Sequence, residues 1–236
     1  MNYFTSYRPD TPDILKNINF GINPGDKVAI VGRTGSGKSS MVLALSRIIE
    51  AKKGKINIDD IDITNIELDF LRQSLSIVPQ EPFIIEGNLR DNIDPLRQFS
   101  DKNVIKVLND FAIFKNMDNK EKLNLDIKEG GKNLSNGQKQ LICFARALIK
   151  GNKIMILDEA TSSLDIETEK IIQMNMEKYF KNITLIMITH HIHMVKNCKK
   201  IIVVDQGHIV EKGEYDALLK NKGSYFYSLY EESGKI

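Results

Sequence analysis

Gly32-Arg33-Thr34-Gly35-Ser36-Gly37-Lys38-Ser39 fits the pattern G-x-x-x-x-G-K-[ST] at every fixed position. Before it, Lys27-Val28-Ala29-Ile30-Val31 is a short apolar run of the kind that forms a buried parallel strand. After it, Met41, Leu45, Ile48 and Ile49 fall at helical spacing, predicting a helix from Ser39 to Glu50. Strand, glycine loop and helix therefore occur in the order that a phosphate-binding loop requires. The glycines let the backbone curl so that successive N–H groups point inward at phosphate, and the new helix adds partial positive charge at its N-terminus. In such a loop Lys38 reaches the β- and γ-phosphates and the Ser39 hydroxyl ligates Mg²⁺. The stretch points to a nucleoside triphosphate and leaves open which kind of machine uses it.

The 236 residues are enough for one large α/β domain or two small ones. Apolar residues make up 42% and charged residues 27%, and 33 basic against 31 acidic side chains leave a net charge of +2, so no general polyanion-binding face is implied. The longest apolar runs, among them Ile154 to Leu157, Thr184 to Thr189 and Ile201 to Val204, have strand length, far short of the roughly 20 residues that span a bilayer. The N-terminus shows no secretory pattern. Cys143 and Cys198 are isolated and read as reduced core or surface residues rather than ligands.

Along the chain, strand-like and helix-like segments alternate up to about residue 80, with some antiparallel β structure. Between about 81 and 150 the pattern turns helical: Asp101 to Asn109, a short Phe111 to Met117 piece, and Asn136 to Ile149. Strand Lys153 to Asp158, helix Asp165 to Phe180 and strands Thr184 to Thr189, Ile201 to Asp205 and His208 to Val210 complete the pattern. The expected fold is α/β, a single domain over 1–236 with a mainly parallel core from 1–80 and 151–236 and an inserted helical part over 81–150.

Ile154-Met155-Ile156-Leu157-Asp158-Glu159 is a hydrophobic strand ending in two carboxylates. In a P-loop ATPase the first, Asp158, holds Mg²⁺ together with the loop serine. The second, Glu159, polarises a water toward the γ-phosphate. Asn133-Leu134-Ser135-Asn136-Gly137-Gln138-Lys139-Gln140 then stands directly before the apolar helix from Leu141 to Ile149. A serine hydroxyl and free N–H groups at a helix start form an anion site.

This last stretch resembles the LSGGQ signature of ABC (ATP-binding cassette) proteins, and the resemblance covers nearly the whole chain. It implies a P-loop NTPase fold with an N-terminal antiparallel β part, and a signature completing the site of a second, opposing cassette. Val78-Pro79-Gln80-Glu81-Pro82 looks like the Q-loop, in which Gln80 contacts Mg²⁺ or its water and relays nucleotide state to the membrane part. Ser162-Ser163-Leu164-Asp165 matches the D-loop, and His190 matches the switch histidine at the γ-phosphate. Tyr7 looks like the aromatic that stacks on adenine. The resemblance thus implies ATP contacts from Tyr7, from Gly32, Arg33, Thr34, Gly35, Ser36, Gly37, Lys38, Ser39 and Ser40, and from Ser135, Gly137 and Gln138 across a dimer. Ser39, Gln80 and Asp158 are implied as Mg²⁺ ligands, and Glu159, His190, Lys38 and Gln80 as the catalytic set.

Val31-Gly32-Arg33-Thr34-Gly35, Glu129-Gly130-Gly131-Lys132-Asn133-Leu134-Ser135 and Ile156-Leu157-Asp158-Glu159-Ala160-Thr161 are similar to the C subfamily of ABC transporters, the multidrug-resistance-associated type, and to its second nucleotide-binding domain. That position implies an intact Glu159 and a signature departing from LSGGQ, and here Asn136 replaces a glycine. The resemblance further implies an ATP-hydrolysing exporter cassette at the cytoplasmic face of a membrane. It would pair head to tail with a second cassette of the same polypeptide and be attached to transmembrane domains, with no nucleic-acid partner and no span of its own. The alternative is a soluble, non-transport ABC ATPase, which would carry long coiled coils or two cassettes in one chain; a kinase or GTPase would leave Ser135 to Gln138 and His190 unused. His190-His191-Ile192-His193 lacks the further ligands of a zinc site. Lys196, Lys199 and Lys200 read as a solvated face.

Overall fold

The computed structural model describes residues 2–160, 164 and 166–233. Two compact units emerge: residues 1–75, 153–159 and 183–236 form the first, and residues 76–152 and 160–182 the second.

The first unit is built on strands in the order His208–Gly213, Lys200–Asp205, Lys27–Val31, Thr184–Ile188 and Ile154–Asp158. The last four run parallel, and His208–Gly213 is antiparallel to its neighbour. The parallel strands read as unbroken apolar runs because both of their faces are covered: Val28, Ala29, Val31, Leu185, Ile201, Ile202 and Val204 are fully buried. Register aligns the strand ends, since Ile188 pairs with Asp158 on one side and with Ile30 on the other. The loops leaving Val31, Asp158 and Ile188 therefore emerge at one edge, the carboxyl edge where open α/β sheets hold their ligands. A separate antiparallel pair, Tyr3–Thr5 with Leu15–Ile18, supplies the expected N-terminal β part.

In the second unit the helices Asp101–Asp110, Asn136–Ile149 and Ile166–Tyr179 enclose an aromatic core. Phe111, Phe144 and Phe180 are fully buried there, and the Phe111 and Phe144 rings stack at 6.2 Å. Ser100 caps the first of these helices by accepting from the Asn103 N–H.

The α/β class read from the sequence is the class observed. Three local expectations need correction. The helix after the glycine loop runs only over Lys38–Leu45, because Arg47 takes a left-handed backbone at φ 50° that helical geometry cannot continue. The Phe111 to Met117 piece is a series of turns rather than a helix, broken by Ala112 and Phe114 at φ 51° and 50°. Within the stretch expected to be helical lies a short antiparallel pair, Gly87–Asn88 with Asp126–Ile127. Two-residue strands are too short to leave a periodic signal.

Candidate active site

The glycine loop leaves Val31 and enters its helix through Gly37, whose φ of 108° makes it the N-cap without a side chain. Gly32, at φ +156°, is the tightest point: a Cβ there would lie 2.1 Å from the Val204 carbonyl oxygen and 2.8 Å from Ser36 Oγ. The loop can pass the neighbouring strand only with no side chain at this position. Ser36 is buried, and its Oγ has no hydrogen-bond partner among the described residues. A buried unpaired hydroxyl inside a curled glycine loop is the group that an incoming oxyanion would satisfy.

Lys38 is 5% exposed. Its Nζ donates to the carbonyl oxygens of Gly32 at 2.9 Å and Arg33 at 3.1 Å, and lies 3.6 Å from Glu159 Oε1. Burial pulls its pKa below the ordinary lysine value, while Glu159 and, more weakly, Asp158 push it back up. The other Glu159 oxygen lies 3.3 Å from His190 Nδ1. One carboxylate thus bridges the loop lysine and the histidine that follows the neighbouring strand.

Glu159 itself stands at φ 47°, in the left-handed region that a non-glycine residue rarely adopts. Its N–H is secured by the Ile188 carbonyl at 2.8 Å. Backbone strain of this sort concentrates at functional positions, where the surrounding fold holds it in place. Beside it, Ser39 Oγ donates to Asp158 Oδ1 at 3.0 Å, bringing together a hydroxyl and a carboxylate, the oxygen donors a hard divalent cation takes. Burial holds the Asp158 carboxyl above the usual carboxylate range, and Glu159 adds to that; the Ser39 bond and Lys38 oppose it. A bound cation would relieve the cost of keeping this group ionised.

Tyr7 is 59% exposed, so its ring face is open for stacking, while its Oη and Ser40 Oγ are hydrogen-bonded at 2.9 Å. The first unit therefore brings together Tyr7, the loop from Gly32 to Ser40, Asp158, Glu159 and His190. Arg33 points elsewhere and pairs with Glu232 near the C-terminus.

Gln80, Ser135, Gly137 and Gln138 belong to the second unit. Ser135 caps its helix in a reciprocal box: its Oγ accepts from the Gln138 N–H at 3.2 Å, and Gln138 Oε1 accepts from the Ser135 N–H at 2.9 Å. Ser135 and Asn136 are exposed, and Asn136 begins the helix without a left-handed backbone, so its side chain adds no backbone strain there. Ser162, Ser163 and Asp165 of the expected D-loop lie outside the described residues. Sequence reading missed the strained backbone of Glu159 and the crowding of Gly32 by Val204, neither of which has a local signature. Both cysteines are buried, and burial pushes the Cys198 thiol up to about 11, so neither belongs to the chemistry.

The family model described as "ABC transporter" matches residues 15–162. Over 237 residues the chain is 46% identical to the vacuolar heme ABC transmembrane exporter abc3 of Schizosaccharomyces pombe, covering 100% of this chain and 16% of that protein. It is 44% identical to ATP-binding cassette sub-family C member 2 of Rattus norvegicus, covering 99% of this chain and 15% of the relative. Among solved structures, a bacterial Atm1-family ABC exporter with ATP bound superposes with a TM-score of 0.90 at 31% identity, over 98% of this chain and 41% of that one. The chain thus spans about one sixth of the length of these curated relatives. Family match, architecture and the site at the carboxyl edge of the sheet agree, and the chain belongs to the ABC transporter family.

Proposed function

We propose that this chain is the ATP-hydrolysing cassette of a membrane exporter of the C-subfamily type, acting at the cytoplasmic face of the membrane as the second of two cassettes. The observation that carries the reading is the convergence of Lys38, Ser39, Asp158, Glu159 and His190 at the ends of three neighbouring strands. Similarity to exporters favours this over a soluble ATPase. An intact Glu159 in a sequence whose signature carries Asn136 supports the second position. No helix among the described residues is long and apolar enough to cross a membrane, so transmembrane partners would supply the substrate path. In the second unit a cavity of about 330 Å³ beside the Gln80 segment exposes Phe83 and Leu96 and offers those partners an apolar foothold.

Each residue has a task in this reading. The loop N–H groups and the Ser36 hydroxyl bind phosphate oxygens, and Tyr7 stacks on the base. Lys38 exchanges its two carbonyls and Glu159 for the β- and γ-phosphates. Ser39 and Asp158 would hold Mg²⁺, which when bound neutralises charge on the phosphate oxygens, and Gln80 would take part in hydrolysis. Glu159, released from Lys38, accepts the proton of the attacking water, and His190 orients Glu159 and reads the γ-phosphate. Ser135, Gly137 and Gln138 face the γ-phosphate of the opposing cassette. Closure of the pair is favoured while that phosphate is present and loses its bias when it leaves.

The test is ATP-dependent uptake into inside-out vesicles carrying the intact protein, with Lys38→Met as the comparison. Uptake and Mg²⁺-dependent phosphate release should both vanish in the variant. Transport that persists in Lys38→Met would overturn the proposal.

A further inference from the structure

The segment that carries Gln80 is tied to the signature helix, Asn136–Ile149, by side chains that no motif assigns. Gln140, which is 3% exposed, donates from Nε2 to the Pro79 carbonyl at 3.1 Å. Two turns further on, the Arg146 guanidinium donates to the Phe83 carbonyl from Nη1, and to the Asn92 carbonyl and Asn92 Oδ1 from Nε and Nη2. Asn92 in turn accepts from the Ile85 N–H at 3.0 Å and donates to the Ile85 carbonyl at 2.8 Å. Ile84 is buried against the loop before the signature, where a Cβ on Gly131 would meet its Cγ2 at 3.1 Å. Just upstream, Ser76 Oγ donates to the Ala147 carbonyl at 2.7 Å.

The chain is therefore held at 76, 79, 83, 84 and 85, while Gln80 between these points is exposed. Gln140 and Arg146 hold the segment through the backbone carbonyls of Pro79 and Phe83, which fixes the path of the main chain there whatever side chains it bears. Arg146, half-buried, has only amide oxygens among these partners, a use of a guanidinium that surface solubility does not explain.

We propose that Gln140 and Arg146 are positioning residues that make the Gln80 segment and the signature helix one mechanical piece, so that a displacement at Phe83 moves Gln80 and the start of the signature helix together. This rests on the proposed role of Gln80 in hydrolysis. Gln140→Glu preserves shape but replaces a donor with an acceptor facing the Pro79 carbonyl. In the intact protein it should lower kcat about 5–10-fold and leave the Kd for ATP within about 2-fold, the pattern of a lost transition-state contact.

The double variant Gln80→Ala/Gln140→Glu should be no slower than Gln80→Ala alone, because both act through one group. Effects that multiply would overturn the coupling, as would a silent Gln140→Glu beside an impaired Gln80→Ala, which leaves the Gln80 role standing. A silent Gln80→Ala would instead overturn the role of Gln80 and the inference with it. Hydrogen exchange on the unmutated protein covers the case in which Gln140→Glu does not fold. On adding ATP and Mg²⁺, peptides spanning 80–85 and 136–146 should change protection together, and a change in one without the other refutes the single piece.

Discussion

Replacing Glu159 by glutamine keeps the shape of the bridge between Lys38 and His190 and removes one charge from it. In the structure Lys38 Nζ lies 3.6 Å from Glu159 Oε1, with both side chains almost wholly buried. At that distance the attraction is about 4–5 kcal/mol for an effective dielectric constant of about 20, most of it offset by the desolvation of the two groups. ATP must displace this pairing and also tolerate a carboxylate close to its terminal phosphate. Glu159→Gln removes both obstacles, so the variant should bind ATP tighter, by about 1 kcal/mol or roughly fivefold. Hydrolysis should move the other way. Glutamine cannot accept the proton of an attacking water, and loss of a positioned general base lowers kcat by about 10²–10⁴-fold. The measurement is phosphate release at saturating Mg²⁺ and ATP by the intact protein, alongside equilibrium ATP binding in the cold. A kcat within about threefold of the parent would show that Glu159 is no base, and an affinity loss of tenfold would show that the Lys38 pairing supports the site rather than competing for it.

Gly32→Ala places a Cβ 2.1 Å from the Val204 carbonyl and should cost about 3 kcal/mol or more, whereas Gly35→Ala, at φ +80° with open space around it, should cost about 1 kcal/mol; thermal denaturation of the two variants separates steric crowding from backbone strain. Tyr7→Phe loses the bond to Ser40 but keeps the ring, so ATP affinity should change by less than about threefold, against about 3–10-fold weakening in Tyr7→Ala, read by titration with a fluorescent ATP analogue. Asp158 has its pKa raised by burial, so the native state binds its proton more tightly than the unfolded chain. Stability without nucleotide should therefore fall as pH rises from the ordinary carboxylate pKa through the raised native value. Asp158→Asn removes that loss and should raise the thermal midpoint at pH 7 by about 1–3 °C while abolishing stabilisation by Mg²⁺ with ATP; a lowered midpoint contradicts the sign.

The parts of the site that lie on motifs were legible because their chemistry demands particular residue types in a fixed order. Lys27 to Val31 and Asn136 to Ile149 match their observed elements residue for residue, since a run of buried aliphatics and a capped amphipathic pattern each have one good solution. What stayed hidden is what non-local packing decides. Arg47, Ala112 and Phe114 end helical geometry through a positive φ that none of these side chains advertises. Gly32 fits the motif, yet the reason it must be glycine is a carbonyl far downstream in the chain, that of Val204. The anchors of the Gln80 segment were invisible for the same reason: Gln140 and Arg146 look like ordinary helix residues until their carbonyl partners are known.

The polar groups of the site in the first unit are paired with one another: Lys38 with Glu159, Glu159 with His190, and Asp158 with Ser39. Lys38 carries a lowered pKa and Asp158 a raised one, so each is held at some cost in its ionised form, with a partner close enough to sustain it. Nucleotide binding is then an exchange of partners rather than the filling of an empty charged hole. On the proposed function, phosphate would take Lys38 from the loop carbonyls and Glu159, a cation would take Asp158 and Ser39, and Glu159 would be left beside His190 with its proton-accepting capacity free. On the same reading, the strained φ of Glu159 serves that exchange. A relaxed backbone would free the carboxylate once Lys38 let go, whereas the Glu159 N–H is fixed on the Ile188 carbonyl, which on the proposed function would hold the carboxylate in place to activate a water. The same lock predicts that shortening the side chain with Glu159→Asp, which keeps the charge but withdraws it from both partners, should impair hydrolysis nearly as much as Glu159→Gln while giving only part of the gain in ATP affinity, because the Lys38 pairing is lost but a carboxylate remains.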